Sequence, residues 1–447
     1  MQRRRFVMAA TASALAAPLA GLAGCGGGGS SNNTPTPAPP SGVVLTLPKD
    51  MYMHPTSPTE WWWHIGTLRA GNRTFGFEIN AASFAKDLGA FSQIMLTDVD
   101  RQKHYQRTAV FVYDNTWAES SVSKNWYARL GDAKNQLSTI ELTNPGSGYT
   151  SAPSVEIEGG GGNGAIAVAL PPVDRKVTGV VLLSPGEGYT SAPSVALIGG
   201  GGTGATAKAV HSYVSMNAPA GDPTKNMTVK ALLHDQLTPT TVKFDLAFSQ
   251  QGRPFFVWGT GVNPDGSGDG SLQTNNYYFS LTRMQASGSI EIDGEKLAVS
   301  GVTWMDHEYG AFGTAANPVK WFLQDMQLDN GVCISNFSTL AQGEVPTLNH
   351  RTSSLATIQD ADGTTWFVKT HVTPIGRTWK SPQTGITYFM QFRVEIPEFN
   401  AELVVNTLVD PQEFPVGDGG VYEGVAAASG TFQYRNVTGT AWNEQAL

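Results

Sequence analysis

Two short stretches carry side chains whose types and spacing could do chemistry. The first is Gly301-Val302-Thr303-Trp304-Met305-Asp306-His307-Glu308-Tyr309-Gly310. Read as a strand, alternate side chains share a face, so Trp304, Asp306 and Glu308 point one way and Met305, His307 and Tyr309 the other. Two carboxyl groups on one face beside an indole raise proton affinity through desolvation and like-charge repulsion. A carboxylic acid still protonated near neutral pH can donate a proton, which makes Asp306, Trp304 and Glu308 a candidate catalytic set. A structural pair bonded to loop backbone at a barrel mouth fits the same pattern. The second stretch is Glu60-Trp61-Trp62-Trp63-His64-Ile65-Gly66. Here Glu60, Trp62 and His64 share a face and offer an aromatic wall with two polar handles, a candidate substrate-binding surface. Tryptophans that only pack two sheets together would read the same way.

Other chemistries find no support in the residues. Asp306, His307 and Glu308 splay to opposite faces, and His54, His104, His211, His234, His350 and His371 show no ligand spacing, so no metal is expected. There is no Gly-x-Ser-x-Gly elbow, and Cys333 lies in Gly331-Val332-Cys333-Ile334, which reads as a strand after a turn. The glycine runs lack the Gly-Lys-Ser/Thr of a phosphate loop, and no cofactor is expected. Lys+Arg 29 against Asp+Glu 37 gives a net charge of −8, so there is no basic footprint for nucleic acid.

The elements that must position these residues are strands. Charged residues make up only 15% of the 447-residue chain and hydrophobic ones 40%, with Gly 50 and Pro 26 marking many turns. Alternation dominates, as in Thr241-Val242-Lys243-Phe244-Asp245-Leu246-Ala247-Phe248, and no long helical period appears. The pattern is that of an all-β antiparallel barrel or sandwich. One internal repeat stands out: Gly146-Ser147-Gly148-Tyr149-Thr150-Ser151-Ala152-Pro153 returns as Gly186-Glu187-Gly188-Tyr189-Thr190-Ser191-Ala192-Pro193. Each copy runs on into a short strand and a glycine run. This reads as an inserted β module over 137–210 whose strands pair as small hairpins.

The N-terminus reads as an export signal. Arg3-Arg4-Arg5-Phe6 fits a twin-arginine pattern, an apolar stretch follows, and Leu22-Ala23-Gly24-Cys25 resembles a lipobox in which Cys25 is lipidated. Residues 1–24 are the expected signal, and 25–42, Gly/Ser-rich and then Pro-rich, an expected tether. The expectation is an exported lipoprotein held on a membrane through its anchor, most naturally the outer membrane, facing the periplasm or the cell surface.

The two chemical stretches, in this order and this far apart, resemble the carotenoid 1,2-hydratase (hydroxyneurosporene synthase)/AttH-like family. That family has an E-W-W-Y-W-like strand near its start and a W-M-D-H-E-W-G-like segment mid-chain; here they stand as Glu60–His64 and Trp304–Gly310. Tyr277-Tyr278-Phe279-Ser280-Leu281-Thr282-Arg283, Trp321-Phe322-Leu323-Gln324 and Tyr422-Glu423-Gly424 support the match. The resemblance implies two tandem lipocalin-like antiparallel β-barrels, over 43–315 with the repeat module inserted and over 316–447. It further implies an apolar small-molecule ligand in an open-mouthed lumen, with Asp306 as the acid that protonates a C=C bond and Trp304 beside it. A carrier without turnover, or a surface-interaction lipoprotein, are the alternatives. The oligomeric state is left open.

Overall fold

The computed structural model describes residues 45–84, 89–113, 115–132, 134–312, 320–340, 344–416 and 419–447. The expected signal, Cys25 and the tether lie outside the described residues, as does the expected boundary at 315–316. Every long element is a strand. Among the described residues there is no α-helix, and helical geometry is confined to three-residue 3-10 turns such as Val257–Gly259.

The strands form two large antiparallel sheets, each curled so that its last strand pairs with its first. In the first, eleven-stranded sheet, Thr59–Ala70 pairs with its successor Arg73–Phe84 and with the returning strand Glu295–Gly310. In the second, nine-stranded sheet, Arg435–Ala446 returns to Lys320–Leu328. That sheet closes into a ring where Ala401–Thr407 pairs with Gly419–Phe432. These are two lipocalin-like barrels, and in the second, closing the sheet on itself removes the exposed edges that alternating strands otherwise present.

Each barrel encloses its own apolar core. Trp62, Phe77, Ile79, Trp126, Phe244 and Phe279 fill the first, and Phe322, Ile334, Phe392, Val394 and Leu403 the second. A third apolar cluster belongs to neither lumen. Trp61, Trp63, Ile65 and Trp304 from the first barrel meet Phe414, Val425 and Trp442 from the second. The barrels are in close contact here: a Cβ on Gly76 would stand 2.4 Å from Cβ of Val425. Across the same junction Thr97 Oγ1 donates to Gln412 Oε1 at 2.9 Å.

In the inserted module the consecutive strands Asn163–Ala169 and Val180–Glu187 form an expected hairpin, and the remaining strands depart from that pattern. They pair between the copies: Ser154–Glu158 with Ser194–Ile198, and Thr139–Ser147 with Thr203–Val210. The glycine runs explain the exchange. A Cβ on Gly202 would fall 2.4 Å from the ring of Tyr149, and one on Gly162 2.6 Å from the ring of Tyr189. Each repeat tyrosine thus lies on the glycines of the other copy, where no larger residue fits. Ser138 N–H donates to Val210 O at 2.9 Å, so the module leaves and rejoins the first barrel at neighbouring points.

Candidate active site

Strand parity groups the chemical residues as the alternation predicts, but which face is inside differs from expectation. On Glu295–Gly310, Met305 and His307 point into the first barrel, and Trp304, Asp306 and Glu308 point out of it. The neighbouring strand lies antiparallel with Trp61 opposite Glu308, Trp63 opposite Asp306 and Ile65 opposite Trp304. This outer face is covered by the second barrel, and the cavity lies between the two barrels, not in a lumen.

The space between the barrels amounts to about 1000 Å³ when the open solvent at its mouth is counted. Trp61, Trp63, Trp258 and Tyr278 line it from the first barrel, with Asp306 and Glu308. Trp321, Phe337, Leu355 and Phe367 line it from the second, with Glu423 and Glu444. Four carboxyl groups therefore share an aromatic enclosure, and no lysine or arginine lines it among the described residues. Arg283 does not neutralise them. Its guanidinium donates to the carbonyl oxygens of Gly331, Asp360 (3.0 Å) and Ala361 (3.3 Å) in the second barrel.

The carboxyl groups are held by aromatic and hydroxyl donors. Asp306 Oδ1 accepts from Ser280 Oγ at 2.5 Å and from Trp304 Nε1 at 2.7 Å. Burial pushes the Asp306 carboxyl up to about 6, against the hydrogen bonds from Ser280, Trp304 and Tyr278 that favour its anion. Burial lifts Glu444 to about 8, although Trp321 Nε1 donates to its Oε1 at 2.9 Å. Glu308 and Glu423 are raised well above the usual carboxylate range for the same reason, as is Asp325 behind them. Glu308, Glu423, Glu444 and Asp325 therefore keep protons near neutrality, and Asp306 is protonated below about pH 6 and in a minor fraction above it.

The candidate binding set Glu60, Trp62 and His64 lies on the opposite face and does not reach this cavity. Trp62 is fully buried in the first barrel, stacked on His307 at 4.5 Å between ring centres. His64 is buried beside Phe248, and burial drives it down to about 3, so it is a neutral core residue. Glu60 accepts from His54 N and Nδ1, the latter at 2.8 Å, while Asp50 stands 3.5 Å from His54 Nε2. Burial opposes charge on His54, yet its bonds to Asp50 and Glu60 outweigh burial and lift it to about 9. His54, Glu60 and His307 place possible ligand atoms within 4.8 Å of one another. His54 also bonds Glu60 and stands 3.5 Å from Asp50, so the group forms one buried hydrogen-bonded cluster on the first barrel.

Trp304 is likewise not in the wall. It sits behind Asp306 and acts on it through its N–H. The indoles that do line the cavity are Trp61, Trp63, Trp258 and Trp321. Glu444 was missed by sequence reasoning, although Trp442-Asn443-Glu444 repeats the spacing of Trp304-Met305-Asp306 in the last strand of the second barrel. Tyr278, Trp321 and Glu423 fall in stretches that supported the resemblance but carried no assigned role.

Comparison with known proteins follows this geometry. The family model described as AttH-like matches residues 198–445. Among solved structures, a candidate AttH from Nitrosomonas europaea aligns at a TM-score of 0.56 and 17% identity, covering 92% of this chain and 99% of that one. Kievitone hydratase from Nectria haematococca aligns at a TM-score of 0.53 and 16% identity, covering 92% of this chain and 97% of that one. At such identities the likeness is one of fold. No curated protein sequence matches the chain.

Proposed function

The chain belongs to the AttH-like family, and from that premise we propose that it is a hydratase, adding water across a C=C bond of an apolar, isoprenoid or lipid-like ligand held between its barrels. One observation carries this reading: Asp306, raised to about 6 and fixed by Ser280 and Trp304, faces an aromatic cavity without a basic residue to hold it ionised. The structural neighbour whose name is a hydratase is compatible with it.

The chemistry follows from the residues. The Asp306 acid gives its proton to one alkene carbon, and the electron pair of the C=C bond forms the new C–H bond. The positive charge left on the other carbon is stabilised by the π faces of Trp61, Trp63 and Trp321 and by the Asp306 carboxylate just formed. Water adds to that carbon, and its surplus proton returns to a carboxylate, which restores the acid. Trp304 is a positioning residue in this scheme, since it orients Asp306 without touching the ligand.

The test is incubation of the purified protein with kievitone and with a panel of isoprenoid alkenes, read by mass spectrometry. A product heavier by one water, formed by the wild type and lost in Asp306→Asn, supports the reading. Unchanged ligand recovered from both proteins would make the protein a carrier instead. The lipoprotein reading rests on Leu22-Ala23-Gly24-Cys25 alone. It is tested by fatty-acid labelling, which Cys25→Ala should abolish.

A further inference from the structure

The inserted module contains its own control. Two of its strand pairs are built alike: Thr139–Ser147 with Thr203–Val210, and Asn163–Ala169 with Val180–Glu187. Both carry a bulge at the equivalent step, between Thr206 and Ala207 in one and between Ile166 and Ala167 in the other. Outward-facing positions therefore correspond one to one.

In the first pair those positions are polar and mutually satisfied. Lys208 Nζ lies 3.1 Å from Glu141 Oε2, the hydroxyls of Thr143 and Thr206 meet at 2.7 Å, and Arg107 of the barrel also bonds Glu141. In the second pair the equivalent residues are Val181, Leu183, Ile166 and Val168, with exposures of 38, 57, 57 and 42%. The polar pair shows that folding of this unit does not require aliphatic side chains there. Four aliphatic residues have been placed in water at the positions where its sister carries a salt bridge and a hydroxyl pair.

We propose that this aliphatic face is a membrane-contact surface that rests on an anionic lipid bilayer. The turn joining its two strands carries exposed Arg175 and Lys176 beside exposed Val173, with Asp174 the one opposing charge. That turn is preformed: Tyr149 N–H donates to Arg175 O and Val177 N–H to Pro145 O, both at 3.0 Å. Aliphatic side chains next to basic ones suit the boundary between acyl chains and anionic headgroups. A second copy of the chain fits less well, because a patch on the order of 400 Å² falls short of the ~800 Å² per partner of a stable interface. The contact is weak alone and acts as a second signal beside any N-terminal anchor. It is independent of the hydratase reading.

The test uses the full-length protein reconstituted into vesicles of phosphatidylethanolamine and phosphatidylglycerol. Leu183→Cys is labelled with an environment-sensitive dye, and Thr143→Cys, at the equivalent position of the polar pair, serves as the control. Quenching by nitroxide-bearing lipid should be several-fold stronger at position 183 than at 143. It should fall to the control level when Ile166→Thr, Val168→Lys and Val181→Glu transfer the sister residues without changing net charge. Equal quenching at both positions, or no loss on the transfer, would overturn the proposal. So would a disulfide between two copies of Leu183→Cys, which would make the face a self-association surface. Ile166→Thr alone, an exposed change that leaves folding intact, should weaken quenching at 183 in the same direction.

Discussion

Glu423 and Glu444 stand directly opposite one another on Gly419–Phe432 and Arg435–Ala446, and each takes its hydrogen bond from a different indole. Trp442 donates to Glu423 at 2.7 Å and Trp321 to Glu444 at 2.9 Å. Like charges directly across a strand pair are destabilising, and here no cation intervenes. The pair resolves the conflict by keeping protons, as Glu308 does across the cavity, while Asp306, raised to about 6, holds its proton only in the fraction of molecules that the pH allows. The site is therefore acidic in composition and largely neutral in charge.

This arrangement sets the sign of the protein's pH response. Asp306 is raised to about 6 and Glu444 to about 8, and burial also holds Glu308, Glu423 and Asp325 well above the usual carboxylate range. A carboxyl whose folded value exceeds its unfolded one contributes most below the unfolded value, and the contribution is lost as pH climbs through the folded one. His54, lifted to about 9, has the same sign. Buried His64, His104 and His307, each lowered to about 3, have the opposite sign and act up to about pH 6.5. The melting temperature should therefore fall from about pH 7 to about pH 9. A rise over that window in differential scanning fluorimetry would contradict the protonated cluster.

Asp306→Asn keeps the shape and removes the acid. Turnover should drop about 10²–10⁴-fold with ligand still bound. Ser280→Ala is the subtler probe, because Ser280 Oγ favours the anion of Asp306. Its loss should move the alkaline limb of the activity profile to higher pH. A limb that stays in place would remove Asp306 from the proton-transfer step.

Trp62 and Trp63 are neighbours in sequence with opposite tasks. Trp62→Ala empties part of the first barrel's core and should cost about 3–5 kcal/mol in urea unfolding. Trp63→Ala should cost less and should reduce the amount of apolar ligand recovered with the protein. Equal loss of ligand in both variants at matched stability would place the ligand in the barrel.

Gly76 allows the barrels to meet. Its Cβ would overlap Val425, so Gly76→Ala should destabilise by about 1–3 kcal/mol. Val425→Ala added to it should restore part of that loss, as expected for residues in direct contact. Additive losses in chemical unfolding would show that the clash is relieved elsewhere.

Alternation by itself determined that the protein is all-β and that Trp304, Asp306 and Glu308 share a face. Those are local properties, because side chains on a strand reverse direction at every residue. Alternation could not say which face looks into the barrel. Thr59–Ala70 is buried on both faces through most of its length, since one face meets the lumen and the other the second barrel. Hydrophobicity carries no contrast under those conditions, and Trp62 and Trp63 look equally suited to either side. The cavity was decided only when the two barrels closed and docked. Docking brought Glu444, on the last strand of the chain, to the same enclosure as Asp306. Nothing local in the sequence links residues so far apart, because what joins them is the packing of one closed sheet on another.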